Sequence, residues 1–280
     1  MHLRVLALHV HHGLQPEADA WVAHAKAVTQ QLREQGLPVE LHVQHLQGHP
    51  LPGDSVEAWA RRGRYAALAA LAKAQGADLI LLGQHAEDQA ETVLLQALRG
   101  GGPAGLAAMP ARWHSDGMHW VRPWLNQPRH ALRALVDAAG LSVVQDPSNH
   151  DPRFARSRLR QQVMPALTAH FPQAVTVLGE VARHAAHAKA LAEEVAELDL
   201  PACTQAGHLR HADWAALPPA RRRNALQAWL ALQLTGGVPV SLLDRLMTEW
   251  QGLGRRWPAP GGWLRSVKGA LSFELSPPTK

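Results

Sequence analysis

A chain of 280 residues with 46% hydrophobic and 18% charged residues has room for one large domain and a smaller one, and this balance excludes a disordered protein. No apolar run approaches the roughly 18 residues that a membrane span needs, and the start Met1-His-Leu-Arg-Val-Leu-Ala-Leu-His-Val is too short and too rich in histidine for a signal peptide. The expected compartment is therefore the cytoplasm, with no membrane partner. A single cysteine, Cys203, excludes a disulfide framework and a zinc ribbon. Charge is unevenly spread: residues 1–150 carry 12 Lys and Arg against 13 Asp and Glu, whereas residues 151–280 carry 16 against 10. Basicity gathered in one half suits a nucleic acid, and equally a solvated helical surface with spare arginines.

Arg4-Val-Leu-Ala-Leu-His-Val10 reads as a buried strand, and Pro16 to Gln35 as a helix with proline in its first turn and Gly36 closing it. Val39-Glu-Leu-His-Val43 alternates as a strand. The next helix takes Asp54 or Ser55 as N-cap, with Glu57 in its first turn and Gly76 as its stop. Asp78-Leu-Ile-Leu-Leu-Gly83 is an apolar strand, followed by a helix from Glu87 to Arg99 and a glycine-rich loop. Then come Trp120-Val-Arg-Pro-Trp-Leu125, a helix from Pro128 to Ala139 and a short strand at Leu141–Val144. This alternation predicts an α/β fold, a parallel sheet with helices on both faces. From Phe154 the pattern turns helical as far as Leu198. Helices at Pro218–Leu234 and Val240–Trp250 and strand-like pieces at Trp263–Lys268 and Leu271–Leu275 follow. The expected organisation is a sheet domain over 1–170, a helical linker over 171–204 and a smaller, mainly helical second domain over 205–280.

Ligands of open parallel sheets bind beyond the carboxyl ends of the strands. His9, His11, His12 and Gly13 follow the first strand, and Gln84, His85, Glu87 and Asp88 follow the third, so both clusters should share one edge. On the helix that follows, Ala90, Val93, Leu94, Ala97 and Leu98 form a buried stripe, while Asp88 and Glu91 share a face toward the strand ends. Carboxylates at Glu87, Asp88 and Glu91 repel one another, a cost that the helix N-terminus offsets by roughly 0.3–1 kcal/mol per charge. The cluster suits an ammonium group or a divalent cation; ordinary charging of a helix N-terminus gives the same pattern. His9, His11 and His12 are metal-ligand types, but strand alternation turns His12 away from the other two, and contacts to a nucleotide base or a merely polar strand end account for them better. Arg61-Arg-Gly-Arg64-Tyr65 and the arginines at 153, 156, 158 and 160, after the turn Asp146-Pro-Ser-Asn149, suit phosphate or a solvated face. Arg221-Arg-Arg223 and Arg255-Arg256 extend the basic character.

In register, several of these stretches resemble the tRNA(Ile)-lysidine synthetases of the PP-loop ATPase superfamily. They are Val10-His-His-Gly-Leu14, Glu57-Ala-Trp-Ala-Arg61 with Arg64-Tyr65, and His85-Ala-Glu-Asp-Gln-Ala-Glu-Thr92. Arg99-Gly100, Gly105-Leu106 with Met109, Arg122-Pro123, Asp146-Pro-Ser-Asn149 and Arg156 through Arg160 with Pro165 continue the series. The resemblance covers residues 4–170 and continues more weakly over 205–275, through Leu217-Pro-Pro-Ala-Arg-Arg-Arg-Asn-Ala-Leu226 and Trp263-Leu-Arg265. It implies an adenine-nucleotide α-hydrolase-like fold and an ATP-dependent carbon–nitrogen ligase. The wobble cytidine of the isoleucine tRNA with a CAU anticodon would be adenylated at its C2 oxygen with ATP and Mg2+. The ε-amine of free L-lysine would then displace AMP. By resemblance, Asp88 and Glu91 hold the lysine, Asp88 also being a candidate Mg2+ ligand, and Arg64 and Arg156 are catalytic. His11, His12, Gly13 and His85 contact the nucleotide, and Arg158, Arg160, Arg221, Arg222 and Arg223 grip the tRNA; residues 1–170 would be the catalytic domain and the smaller domain over 205–280 a tRNA-recognition domain that helps to choose the tRNA.

The chain departs from the family pattern at Gln84, where the first of two histidines is usual, at Glu87, where the first of two aspartates is usual, and at Ser157, where asparagine is common. The family's Ser-Gly-Gly-x-Asp-Ser loop, whose backbone N–H groups cradle pyrophosphate, is not found. Thr235-Gly-Gly-Val-Pro-Val-Ser241 lies in the wrong domain, and Gly53-Asp-Ser55 lacks the glycine pair. The chain as written is therefore expected to be N-terminally truncated, to lack the first strand and the loop, to be inactive, and to be poorly soluble through an open sheet edge. A non-catalytic tRNA-binding remnant, or another PP-loop enzyme such as a tRNA thiolase or an amidotransferase synthetase domain, would share many of these residues. The lone Cys203 argues against thiolation. Nothing in the sequence sets the oligomeric state.

Overall fold

Valine, leucine and histidine from Val5 onward build the first strand, β1 (Val5–His11), which runs parallel to β2 (Val39–His45) in the register Val5↔Val39 to His11↔His45. The structure, a computed structural model, describes residues 4–50, 55–252 and 254–276. Its contacts divide the chain into two units, Met1–Ala185 and Ala186–Lys280. In the first, helix α1 (Ala18–Glu34) links the two parallel strands, and Gly36 ends it with a φ of 84°. Such a left-handed conformation suits glycine after a helix. Helix α2 (Val56–Ala74) begins at Ser55, whose side chain accepts a hydrogen bond from the Ala58 N–H at 3.3 Å. Asp54, the other N-cap candidate, lies outside the described residues.

Strand β3 (Leu79–Leu81) leads to α3 (Ala86–Ala97) and a short α4 (Pro103–Leu106). The sequence reading did not separate out the hairpin that follows, β4 (Arg112–Ser115) and β5 (Met118–Val121). Its turn, Asp116-Gly117, has positive φ at both residues, as a two-residue hairpin of type I′ requires. β5 is parallel to β3 and antiparallel to β4. Thus the parallel strands form two sheets, β1-β2 and β3-β5-β4. A cleft of about 570 Å³ lies between them, lined by Val5, Leu6 and Leu8 of β1, Leu68 of α2 and Leu79 and Ile80 of β3. Helix α2 bridges the gap, and its Leu68, Ala69 and Ala72 pack with Ile80, Met118, Trp120 and Leu8.

Helix α5 (Arg129–Ala138) is followed by Leu141–Val144, which does not form the expected strand. Val143 and Val144 are 49% and 37% exposed, so the β-branched pair has no sheet to bury it. A 3-10 turn (Pro147–His150) and α6 (Ala155–Arg158) precede a π turn at Leu159–Val163 and α7 (Met164–His170). Pro165 offers no N–H and its ring crowds the carbonyl four residues back, a physical reason for the chain to widen there. Helix α8 (Ala174–Cys203) carries the boundary between the units.

The second unit has a sheet ordered β6-β7-β10-β9-β8, from β6 (Thr204–Gln205), β7 (His208–Arg210), β8 (Arg255–Ala259), β9 (Gly262–Val267) and β10 (Ala270–Leu275). Helices α9 (His211–Ala216), α10 (Pro219–Gln233) and α11 (Val240–Glu249) complete it. β9 alternates buried and exposed along its whole length, the signature of a sheet with one face on a core and one in solvent. Pro258 conceals β8 from a sequence reading, and β8 is an edge strand, where proline is tolerated. Trp214, Trp229, Trp257, Leu226 and Leu264 fill the core. Replacing Trp257, fully buried, by alanine is expected to cost about 3–5 kcal/mol, measured by chemical unfolding. A loss below about 1 kcal/mol would show that the sheet is not seated on the helices.

Candidate active site at the strand ends

The parallel register carries the ends of β1 and β2 to one edge, where the rings of His11 and His45 lie 4.5 Å apart and His12 meets Trp21 edge-on at 6.4 Å. Burial, with neighbouring positive charge, holds His9 and His12 below the ordinary histidine range. For His9 the charges are His11, His12 and His45; for His12 they are Arg64 and His11. Both rings are therefore neutral at pH 7, able to donate and accept at a base edge. Gly13 follows with a φ of 66°, turning the chain off the strand. Arg64 is exposed on α2.

Around α3 the acids are all engaged. The His85 N–H donates to Asp88 Oδ2 at 3.1 Å, and the His85 ring lies 2.9 Å from Glu87 and 3.4 Å from Asp88. Glu87 also accepts the Arg129 N–H at 2.9 Å, capping the start of α5. Glu91 is only 1% exposed. Arg160 grips it with two parallel bonds, Nε to Oε1 at 2.7 Å and Nη2 to Oε2 at 2.8 Å, and reaches Asp88 Oδ1 at 3.3 Å. Arg156 Nε lies 3.2 Å from Glu91 Oε2, while its Nη2 donates to Thr92 Oγ1 at 2.6 Å. The bond to Glu91 raises the Arg160 pKa above its ordinary value, against the effect of burial. On the same helix Ala90 and Val93 are buried as expected and Leu94 is half-buried, but Ala97 and Leu98 at its end are exposed, Leu98 to 78%.

Asp88, Glu91, Arg156 and Arg160 thus form one network, and His12 with Arg64 a second group. The other arginines expected to meet tRNA have partners within the chain. Arg158 donates to the carbonyls of Pro152 and Arg153 at 2.8 and 3.0 Å. Arg221 pairs with the buried Asp199, Arg223 with Asp244 at 2.7 Å, and the Arg222 guanidinium lies 5.9 Å over Trp214. Among the described residues no three His, Cys, Asp or Glu side chains converge as metal ligands.

Sequence reasoning missed three supports. Gln89 bonds reciprocally to the Met109 backbone at 3.0 and 3.1 Å, fixing the loop after α4. Thr92 links Arg156 to the Asp88 carbonyl, to which its hydroxyl donates at 2.7 Å. Arg122 is 4% exposed, and its donors go to Gln84 Oε1 (3.0 Å), the Pro110 carbonyl (2.7 Å) and the Tyr65 hydroxyl (3.3 Å). Its guanidinium stacks 4.2 Å over Trp113, and burial lowers its pKa. The signal for Arg122 was its place directly after a strand; its partners, 12 to 57 residues away in sequence, were not legible.

Fold and strand-end site together define a PP-loop domain, and the family described as "PP-loop domain" matches residues 1–167. The chain is also similar to named relatives. It is 45% identical to the tRNA(Ile)-lysidine synthase of Pseudomonas aeruginosa, over 96% of this chain and 65% of that one. It is 44% identical to the one from Ralstonia nicotianae (98% and 59%) and 39% identical to the one from Bordetella parapertussis (94% and 79%). The chain belongs to the tRNA(Ile)-lysidine synthase family. It spans 65% and 50% of the length of the two Pseudomonas relatives. A solved U34-tRNA thiolase from Methanococcus maripaludis aligns with a TM-score of 0.54 at 14% identity, covering 66% of this chain and 62% of its own, and shares the fold alone.

Glu91→Gln should destabilise the first unit by about 3 kcal/mol, because it strands two guanidiniums against a neutral amide; a melt indistinguishable from the parent would refute the network's importance. With their folded pKa values below the ordinary 6.5, His9 and His12 bind more protons when the chain is unfolded. Their contribution is therefore present above about pH 6.5 and lost on acidification. The urea midpoint should fall between about pH 7.5 and 5.5, and less steeply in a His9→Gln/His12→Gln double variant.

Proposed function

We propose that this chain carries the lysine- and tRNA-handling part of an ATP-dependent ligase that joins free L-lysine to C2 of the wobble cytidine in the CAU-anticodon isoleucine tRNA. The supporting observation is the acid–arginine network on α3, in a chain that belongs to the tRNA(Ile)-lysidine synthase family. The cytidine C2 oxygen attacks the α-phosphorus of ATP and pyrophosphate leaves; the lysine ε-amine then attacks C2, and AMP departs with the oxygen. The site must therefore hold a cation near a phosphoester. Asp88 receives a lysine ammonium by taking over the 3.3 Å contact of Arg160, the longest of that guanidinium's acid contacts. Glu91 stays behind the arginines and keeps Arg156 and Arg160 aimed at phosphate. Arg64, exposed beside His12, adds charge on the nucleotide side. His11, His12, Gly13 and His85 take the nucleotide's base and sugar, to which the neutral imidazole of His12 is suited.

These residues do not make a magnesium cage by themselves, since Glu91 is already gripped by guanidiniums. Magnesium in this proposal belongs to the ATP phosphates, with Asp88 the one carboxylate in reach. The Ser-Gly-Gly-x-Asp-Ser cradle is absent from these 280 residues. A strand bearing it fits the cleft between β1 and β3, whose facing edges pair with no strand among the described residues.

With ATP, labelled lysine and the CAU-anticodon tRNA, the chain joined behind a strand–loop–helix segment carrying that cradle is expected to incorporate lysine, and the chain alone is not. Absence of product with the loop supplied would overturn the function. In the loop-bearing protein Asp88→Asn should raise the KM for lysine about tenfold or more, the scale of one charge-assisted hydrogen bond, and leave the KM for ATP unchanged. An unaltered lysine KM would remove Asp88 from the lysine site.

A further inference from the structure

We infer that His114 and His119, opposed across the β4-β5 hairpin, form a two-imidazole chelating site for a divalent transition-metal ion of the zinc type. Strand register pairs the two residues directly. Theirs is a non-hydrogen-bonded pair of the ladder, because the His119 N–H turns the other way and donates to the carbonyl of Asp78, directly before β3, at 2.8 Å. Side chains in such pairs approach more closely than in the hydrogen-bonded pairs that flank them. The two rings stand 5.0 Å apart, centroid to centroid, tilted by 60°. Two imidazoles on one ion, each with a metal–nitrogen bond of about 2.0–2.1 Å, hold their centroids roughly 4.5–5.2 Å apart when the bond angle at the metal is about 90–109°. The ladder therefore already sets the rings at chelating separation, and only rotation about side-chain bonds remains.

The surroundings leave both rings available. His114 and His119 are exposed, and among the described residues neither ring has a hydrogen bond or an ion pair. Met118 and Trp120, which alternate with His119, take the buried side and pack with α2. The other close pair, His11 and His45, is committed elsewhere: the His11 side chain is 13% exposed, and its Nε2 lies 3.2 Å from Asp19 at the strand-end site. No third His, Cys, Asp or Glu joins His114 and His119 among the described residues, so water completes the coordination, as in zinc sites that keep open positions. The position gives the ion a task. β4 is an edge strand of four residues, paired with β5 alone among the described residues. It carries Trp113, which stacks on Trp120 at 5.5 Å and lies under the Arg122 guanidinium. An ion held by His114 and His119 clips that edge to β5, one residue from the aromatic support of Arg122. The inference does not depend on the ligase reading.

Isothermal titration of the whole chain with Zn2+ alone, in a buffer free of chelators, tests it. One Zn2+ per chain should bind more tightly than the remaining histidines bind it. His114→Gln and His119→Gln should each weaken that binding about tenfold or more, a scale that loss of even an outer partner reaches in metal sites. The double variant should abolish it, and His11→Gln/His45→Gln, which removes the other close pair, should retain it. In hydrogen exchange, Zn2+ should slow the amides of β4 in the parent and leave them unchanged in the His114→Gln/His119→Gln variant, a difference that two merely neighbouring histidines do not produce. A double variant that binds Zn2+ like the parent would overturn the inference, as would a parent chain with no site above the background of its other histidines. Loss of the site in His11→Gln/His45→Gln alone would move it to the strand ends and overturn it too. One Zn2+ per two chains, with a metal-dependent dimer in sedimentation, would overturn the intrachain clip in favour of a bridge between copies.

Discussion

A carboxylate with almost no contact with water, Glu91, organises the first unit's site. An ion buried alone costs several kcal/mol, and only close, well-directed partners offset that. Arg160 supplies two parallel bonds and Arg156 a third contact. Both arginines come from the segment after the 3-10 turn, more than sixty residues further along the chain. The carboxylate therefore fastens that segment to α3 and fixes the direction in which two partly exposed guanidiniums present their remaining donors. Charge balance and site geometry are one constraint here.

Arg122 plays a comparable part at the strand ends without a carboxylate. Its three hydrogen bonds and its stack on Trp113 join the end of β3 through Gln84, α2 through Tyr65 and the approach to β4 through Pro110. Tyr65 adjoins Arg64, so the buried guanidinium also steadies the helix turn from which the exposed arginine projects. Neutral acceptors suffice because the charge is spread over a planar group that an indole face can cover.

The second unit uses arginine in two ways. On α10, Arg221 and Arg223 are tied to Asp199 and Asp244 and serve helix packing. On the outer sheet face, two opposed arginines share one glutamate beside an exposed tryptophan. The same residue type is structural where acids surround it and available where they are outnumbered.

The sequence by itself determined the strand–helix alternation, most element positions and the gathering of histidines and acids at strand ends, because periodicity, caps and glycine stops are local. It also carried the family resemblance, through residues such as Asp88, Glu91 and Arg156. It misjudged Leu141–Val144, whose β propensity found no partner strand, and passed over the β4-β5 hairpin and the proline-bearing β8. Only the tertiary structure decided which charges cancel: that Glu91 is buried under Arg160, that Glu87 caps α5, that Arg158 closes its own loop, and that Arg122 needs no acid. The reason is distance along the chain. Each of the pairings with Glu91 and Arg122 joins residues separated by about a dozen to nearly seventy positions, and spacing along one helix or strand carries no information about a partner on another.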